Sequence, residues 1–301
     1  MQRVSSEGPN DGQPDRLRRI EGTTRTVGVI GWPVEHSLSP VIHNAAFAAL
    51  GMDWVYVPLP TAPGRVEAAL EGLAALGFAG ANVTMPHKTE CADLIADLSG
   101  DARALRAVNT IVVGAEALVG HNSDVLGFER FLAVDAGFDP SGRTALLFGA
   151  GGAARACALA LARSGLAALT VAVREPTRAE PLRALVEPFG TDVTSVGFDD
   201  ASGASANLVV NATPLGARGE PLPLPPLDPA GLAVDLLTRP GSTSLLTEAR
   251  RAGCASFGGV GLLLHQGAIA FELWTGRAPP LDVMSAAALA ELSEPGSTIG
   301  S

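Results

Sequence analysis

Charge is scarce in this sequence and uneven in sign: 17% of the 301 residues are charged, 21 basic against 31 acidic, for a formal net charge of −10. A chain that must neutralise a long phosphate backbone needs the opposite balance, which excludes nucleic acid as the expected partner. Cysteine is rarer still. Cys91, Cys157 and Cys254 are odd in number, far apart and in no C-x-x-C spacing, so they read as small buried residues of a reducing compartment, and no metal site is expected. No apolar run reaches the ~20 residues that cross hydrocarbon, because Arg155 and Arg163 interrupt even the richest region. Residues 1–23 are polar and lack the apolar core of a signal peptide. The expectation is a cytoplasmic protein that engages no membrane, with flexible tails at 1–23 and 294–301.

Aromatics are also few, at 5%, yet 47% of the chain is apolar, the mean hydropathy is +0.27 and there are 35 glycines. That composition excludes a wholly disordered acidic chain and points to cores closed through Ala and Gly. The length suits two domains.

From Thr26 short β-like runs alternate with amphipathic helical runs: TVGVI, VIHNAAFAAL, DWVYVPL, VEAALEGLAAL and GFAGANV read as βαβαβ. The next stretch is less regular, with short strands at VNTIVV and ALVG before a connecting helix over 125–136 that follows a cap at Asn122 or Ser123. A second α/β unit opens at Arg143, where TALLFGAGGAARACALALARSG reads as strand, glycine turn and helix and LTVAVRE as the next strand. Further strands lie at DVTSVGF, ANLVVNAT and GLAVDLL, and the Pro-rich PLPLPPLDP between the last two is a surface excursion. The end of the chain, GVGLLLHQGAIAFELWTG and MSAAALAELS, is helical and free to fold back on either unit. No short-period repeat is present.

Three segments carry candidate chemistry. In GAGGAAR, glycines let the backbone turn tightly and approach a pyrophosphate while amides at the helix start face the anion; the plain alternative is an ordinary tight turn. After the following strand, Arg174 and Arg178 would embrace a 2′-phosphate, Glu175 would oppose it or accept from a 2′-hydroxyl, and the plain alternative is two solvated arginines. In GWPVEHSLSPVIHN, Ser37 and Ser39 precede Pro40 at a helix start, so hydroxyls and amides either converge on a carboxylate or merely cap the helix. His36 and His43 share no metal-ligand spacing and read as structural hydrogen-bonding residues. In GANVTMPHKTE, Asn82, Thr84 and Lys88 follow a parallel strand at the end where open α/β sheets place ligands. Lys88 there would stabilise or protonate a substrate oxygen, unless it is only a solvated charge. Asn109 and Asp124 add two more polar groups at strand ends, Asp124 as a helix cap or as the partner of Lys88.

In their order along the chain these motifs resemble the shikimate dehydrogenase family, including its quinate/shikimate and aminoshikimate dehydrogenase branches, from about Thr26 to about Leu292. The resemblance implies that Ser37 and Ser39 bind the substrate carboxylate, that Asn82, Thr84, Lys88, Asn109, Asp124 and Gln266 complete the substrate site, and that Lys88 with Asp124 is catalytic. It assigns Gly149, Ala150, Gly151, Gly152, Ala153, Arg174, Arg178, Thr213, Pro214, Leu215 and Gly259 to the cofactor, NADP with NAD as the alternative. The implied fold is α/β: a substrate domain with a mixed or mostly parallel sheet over 24–125 plus 261–293, then a Rossmann-like NAD(P)-binding domain over 126–260, with a cleft between them. The implied reaction is reversible NADP-dependent reduction of 3-dehydroshikimate to shikimate, a small hydroxylated cyclic carboxylic acid. The alternative is an NAD-dependent quinate/shikimate or aminoshikimate dehydrogenase. A monomer and a homodimer both suit such a chain. The sequence departs from the family pattern at Thr238, where a tyrosine is usual, at Val173 and Glu175 on either side of Arg174, at Val125 and at Gly258.

Overall fold

The computed structural model describes residues 20–238 and 241–293. The alternation read from Thr26 onward builds a first unit of β1 (Arg25–Gly31), α1 (Ser39–Ala49), β2 (Trp54–Pro60), α2 (Val66–Ala75), β3 (Gly80–Val83), α3 (Lys88–Leu94), β4 (Asp97–Leu98), α4 (Gly100–Leu105), β5 (Thr110–Val113), β6 (Leu118–His121) and α5 (Asp124–Val134). Its strands form one six-stranded sheet in the order β2-β1-β3-β5-β6-β4. The sheet is mixed, because β5 runs antiparallel to both β3 and β6 while the other pairs are parallel. The segment from Lys88 to Leu105, irregular in sequence, consists of elements of seven, two and six residues. Such pieces are too short for a hydrophobic period to register.

The second unit comprises β7 (Thr144–Phe148), α6 (Gly152–Arg163), β8 (Ala168–Val173), α7 (Glu180–Val186), β9 (Asp192–Gly197), β10 (Leu208–Asn211), β11 (Leu232–Asp235), α8 (Ser244–Ala252) and β12 (Ala255–Phe257), followed by α9 (Val260–Thr275) and α10 (Leu281–Ser293). Its six strands are all parallel, in the order β12-β11-β10-β7-β8-β9. This is the doubly wound arrangement, with the winding direction reversing between β7 and β10 and leaving a crevice at their carboxyl ends. The connection from β10 to β11 contains no helix; its prolines lack the amide hydrogens a helix needs.

Packing explains the composition. In α6 the run Ala156, Cys157, Ala158, Leu159, Ala160, Leu161 and Ala162 is buried without a break, so this helix is apolar all round and its small side chains let neighbours approach closely. The chain end returns to the first unit: Phe271 and Trp274 of α9 and Met284 and Ala288 of α10 share a core with Val27, Ile42, Phe47 and Tyr56. Arg163 of α6 pairs with Asp101 of α4 at 2.6 Å, joining the two units by an ion pair.

Two expectations need correction. Residues 1–19 and 294–301, read as tails, lie outside the described residues, but residues 20–23, assigned to the same tail, include a turn whose Thr23 hydroxyl donates to the Asp53 carboxylate at 3.0 Å, beside the same bond from the next residue, Thr24, at 2.7 Å. His43, expected to hydrogen-bond, has no partner at either ring nitrogen. It is fully buried in an aromatic setting, stacked on Tyr56 with centroids 4.6 Å apart and flanked by Phe271 and Trp274. Burial holds its pKa down at about 3, so the imidazole stays neutral.

Candidate active site

The strongest cluster of polar side chains lies where the two units face each other. A cavity of about 470 Å³ is lined from the first unit by Ser37, Ser39, Asn82, Thr84, Lys88, Asn109 and Asp124, from the second by Leu236, Thr238 and Gly259, and by Gln266 of α9. Eight substrate-site candidates, separated by more than two hundred residues of sequence, thus meet around one space. Topology explains the meeting: β1 and β3 are parallel neighbours, so the loops after them, carrying the serines and the lysine, emerge on the same edge.

Each side chain is fixed locally. Pro40 opens α1, and the Ser37 hydroxyl accepts from the Ser39 amide at 3.3 Å, leaving both serines at a helix start. Lys88 is the first residue of α3, and the buried His87 before it holds the Thr61 carbonyl at 2.7 Å through its Nε2. The Lys88 ammonium donates to Asp124 Oδ2 at 2.7 Å. Asp124 is held from its other side, where Asn109 Nδ2 donates to Oδ1 at 2.8 Å, and its own amide donates to Asn122 Oδ1 at 3.1 Å. Asn109 Oδ1 accepts from the Ser123 amide at 2.7 Å. Of the two alternatives raised by the sequence the pairing holds and the cap does not: the N-cap position of α5 is Ser123, and Asp124 is the first helical residue, its carboxylate engaged by Lys88 and Asn109. The Asn82 amide is engaged within the protein, by Tyr56, Asn109 and Thr110.

A second cavity of about 630 Å³ sits at the crevice of the parallel sheet, lined by Gly149, Ala150, Gly151, Arg174, Arg178, Thr213, Pro214 and Leu215 among others. Gly149 has φ of +103°, and a Cβ there would lie 3.0 Å from Thr213 Cγ2, so both conformation and space favour glycine. At Gly151 and Gly152 a Cβ would meet nothing, which leaves the amides at the start of α6 open to an anion. These features fit a dinucleotide pyrophosphate. Gly152 and Ala153 lie in the first turn of α6 and are not among the lining residues, and Gly259 borders the first cavity instead, with no room for a Cβ beside the Leu236 carbonyl. Arg178 lies 3.5 Å from Glu175, and both are exposed.

Sequence reasoning missed Tyr56, Thr61, His87 and Thr110. All four lie behind the lining, and no spacing in the sequence connects them to it. Cys91 and Cys157 are buried, and burial with the Glu90 charge pushes the Cys91 thiol up to about 12. Among the described residues, no group of three or more His, Cys, Asp or Glu side chains is placed to hold a metal ion, and no helix is long and apolar enough to cross a membrane.

Comparison with known proteins matches residues 29–111 to the shikimate dehydrogenase substrate binding domain and residues 259–289 to the shikimate 5′-dehydrogenase C-terminal domain. The chain is 48% identical over 274 residues to the NADP(+) shikimate dehydrogenase of Rubrobacter xylanophilus, covering 88% of this chain and 96% of that one. It resembles the Thermus thermophilus shikimate 5-dehydrogenase crystallised with NADP(H) and shikimate, with 37% identity, a TM-score of 0.78, and 88% and 99% of the two chains covered. It also resembles the quinate dehydrogenase of Corynebacterium glutamicum in complex with NAD, with 31% identity, a TM-score of 0.82, and 89% and 99% covered.

Proposed function

The chain belongs to the shikimate dehydrogenase family of NADP-dependent oxidoreductases, which interconvert 3-dehydroshikimate and shikimate, and from that premise we propose that the reaction runs in the cleft through Lys88 and Asp124. In this reading residues 24–125 with 261–293 carry the hydroxy acid and residues 126–260 carry the cofactor. Ser37 and Ser39, at the start of α1, receive the substrate carboxylate with hydroxyls and backbone amides. This local set of donors works despite the net charge of −10, because a buried anion feels its immediate donors more than distant surface charge. Gln266, Thr84 and Asn109 border the ring space and offer partners to ring hydroxyls. Such contacts discriminate strongly against analogues that lack a hydroxyl.

The second cavity receives NADP(H) through Gly149, Ala150 and Gly151 at the pyrophosphate, Arg174 and Arg178 at the 2′-phosphate, and Thr213, Pro214 and Leu215 along the wall. When bound, that cofactor supplies or accepts the hydride. The protein's own part is the proton. During reduction the Lys88 ammonium, held by Asp124, stabilises charge developing on the carbonyl oxygen and delivers a proton to it; during oxidation the same nitrogen takes the proton back. The single observation that carries this assignment is the 2.7 Å Lys88–Asp124 contact on the wall of a cavity shared by both units.

Replacing Lys88→Ala is expected to lower kcat by about 10²- to 10⁴-fold with little change in the KM for NADP+. Near-parental turnover would remove the lysine from the mechanism. One observation favours a second reading, oxidation of quinate or an amino-substituted relative with NAD: Glu175 lies beside Arg178 and would compete with a 2′-phosphate for it. Initial rates with shikimate, quinate and aminoshikimate against NADP+ and NAD+ separate the two, and a strict NAD+ preference would favour the second.

A further inference from the structure

The Asn82 side chain lies at the cavity wall, only 5% exposed, and its orientation is decided behind the wall. Its Nδ2 donates to the Asn109 carbonyl at 3.1 Å, an oxygen that can only accept, so the amide nitrogen must face that way. The Asn82 oxygen is thereby left facing the core, where it needs a donor. The Tyr56 hydroxyl provides it at 2.8 Å.

From there donors run in one direction. Asn82 Nδ2 also donates to Thr110 Oγ1 at 3.1 Å, Thr110 Oγ1 donates to Asn109 Oδ1 at 3.0 Å, and Asn109 Nδ2 donates to Asp124 Oδ1 at 2.8 Å. The chain ends at the carboxylate that holds Lys88. Hydrogen bonds aligned head to tail polarise and strengthen one another.

Tyr56 itself is held on three sides. Asn44 of α1 exchanges hydrogen bonds of 2.8 and 2.9 Å with its backbone, His43 stacks on its ring, and Trp274 of α9 packs against it with centroids 6.1 Å apart. Helix α1, which supplies Asn44 and His43, also carries Ser39, whose side chain hydrogen-bonds with the Tyr56 hydroxyl. Tyr56 is 2% exposed and is not among the residues lining the cavity.

We propose that Tyr56, the single tyrosine of the sequence, is a positioning residue that fixes the Asn82 amide and, through Thr110 and Asn109, the carboxylate that holds Lys88. This rests on reading the cleft as the site of hydroxy-acid oxidation. The Tyr56→Phe protein keeps the ring and removes the hydroxyl, which heads the chain and also meets the Ser39 side chain. Its kcat/KM for shikimate is expected to fall about tenfold while the KM for NADP+ stays within about twofold of the parent. In an Asn82→Ala background the same change is expected to cost less than in the parent, because the part of its effect that passes through the Asn82 amide is already lost. Replacing tyrosine by 3-fluorotyrosine keeps the hydroxyl and is expected to keep parental kinetics. Because Tyr56 is the one tyrosine, that protein gives a single fluorine resonance, expected to move on saturation with shikimate and to move less in Asn82→Ala.

Parental kinetics in Tyr56→Phe, additive losses in the double variant, or equal rises in both KM values overturn the proposal. If Tyr56→Phe does not fold, a fluorine resonance insensitive to shikimate overturns it instead. A parental enzyme inactive on shikimate and on quinate would defeat the reading of the cleft, whereas an active parent with an unaffected Tyr56→Phe defeats only the role of Tyr56.

Discussion

At the scale of single residues, His43 links the core to pH. The unfolded chain takes up a proton on this imidazole near pH 6.5, whereas the folded core resists until about pH 3. Between those values the unfolded state binds more protons, so stability falls as pH drops through the window, by at most about 1.4 kcal/mol per unit. Urea midpoints at pH 7, 5.5 and 4 are expected to decline, and His43→Phe is expected to flatten that decline; an equal slope in both proteins would show that His43 does not titrate this way. The sequence presented His43 as one more polar residue near two serines and gave no sign of its aromatic surroundings. Phe271 and Trp274 arrive from more than two hundred residues away. By contrast Ser37, Ser39, Lys88 and Asp124 were legible, because each sits in a short motif next to a proline, a strand end or a helix start.

At the scale of elements, the crossing of α5 and α9 positions Gln266 as much as its own helix does. A Cβ on Gly127 would come within 2.9 Å of the Gln266 amide nitrogen and 3.0 Å of its Cα, so the two helices meet backbone to backbone. Gly127→Ala is expected to push α9 away, costing about 1–3 kcal/mol of stability. It should also raise the KM for shikimate more than that for NADP+. Chemical unfolding and steady-state kinetics on the same variant check both, and a stable variant with parental KM values would show that the crossing has slack. Long periodic elements such as α9 and the strand–glycine–helix passage from β7 to α6 were readable from sequence. The short α3, β4 and α4 were not, since seven residues or fewer hold less than two helical turns.

At the scale of the whole molecule, the two sheets turn the carboxyl ends of their central strands toward a shared space, and the units are joined by an apolar core in which Leu105, Val125, Phe128 and Phe131 meet α6, with ion pairs beside it. Asp101 and Arg163 form one such link at 2.6 Å, both partly shielded from solvent. Asp101→Asn is expected to lower the unfolding free energy by about 1 kcal/mol at low ionic strength, with the difference shrinking in 1 M salt. Urea titrations at the two salt concentrations test this; a loss independent of salt would mean that packing, not charge, joins the units there. The sequence by itself determined the α/β class, the glycine turn, the order of the polar motifs and their family, because these are local patterns of period, turn chemistry and spacing. Only the tertiary structure decided that β5 runs antiparallel within the first sheet, that His43 is an unpartnered core residue, and that Tyr56 stands behind Asn82. Strand direction, burial and long-range hydrogen bonds depend on which distant segments pack together, and that is settled by the free energy of the whole fold and not by any one segment.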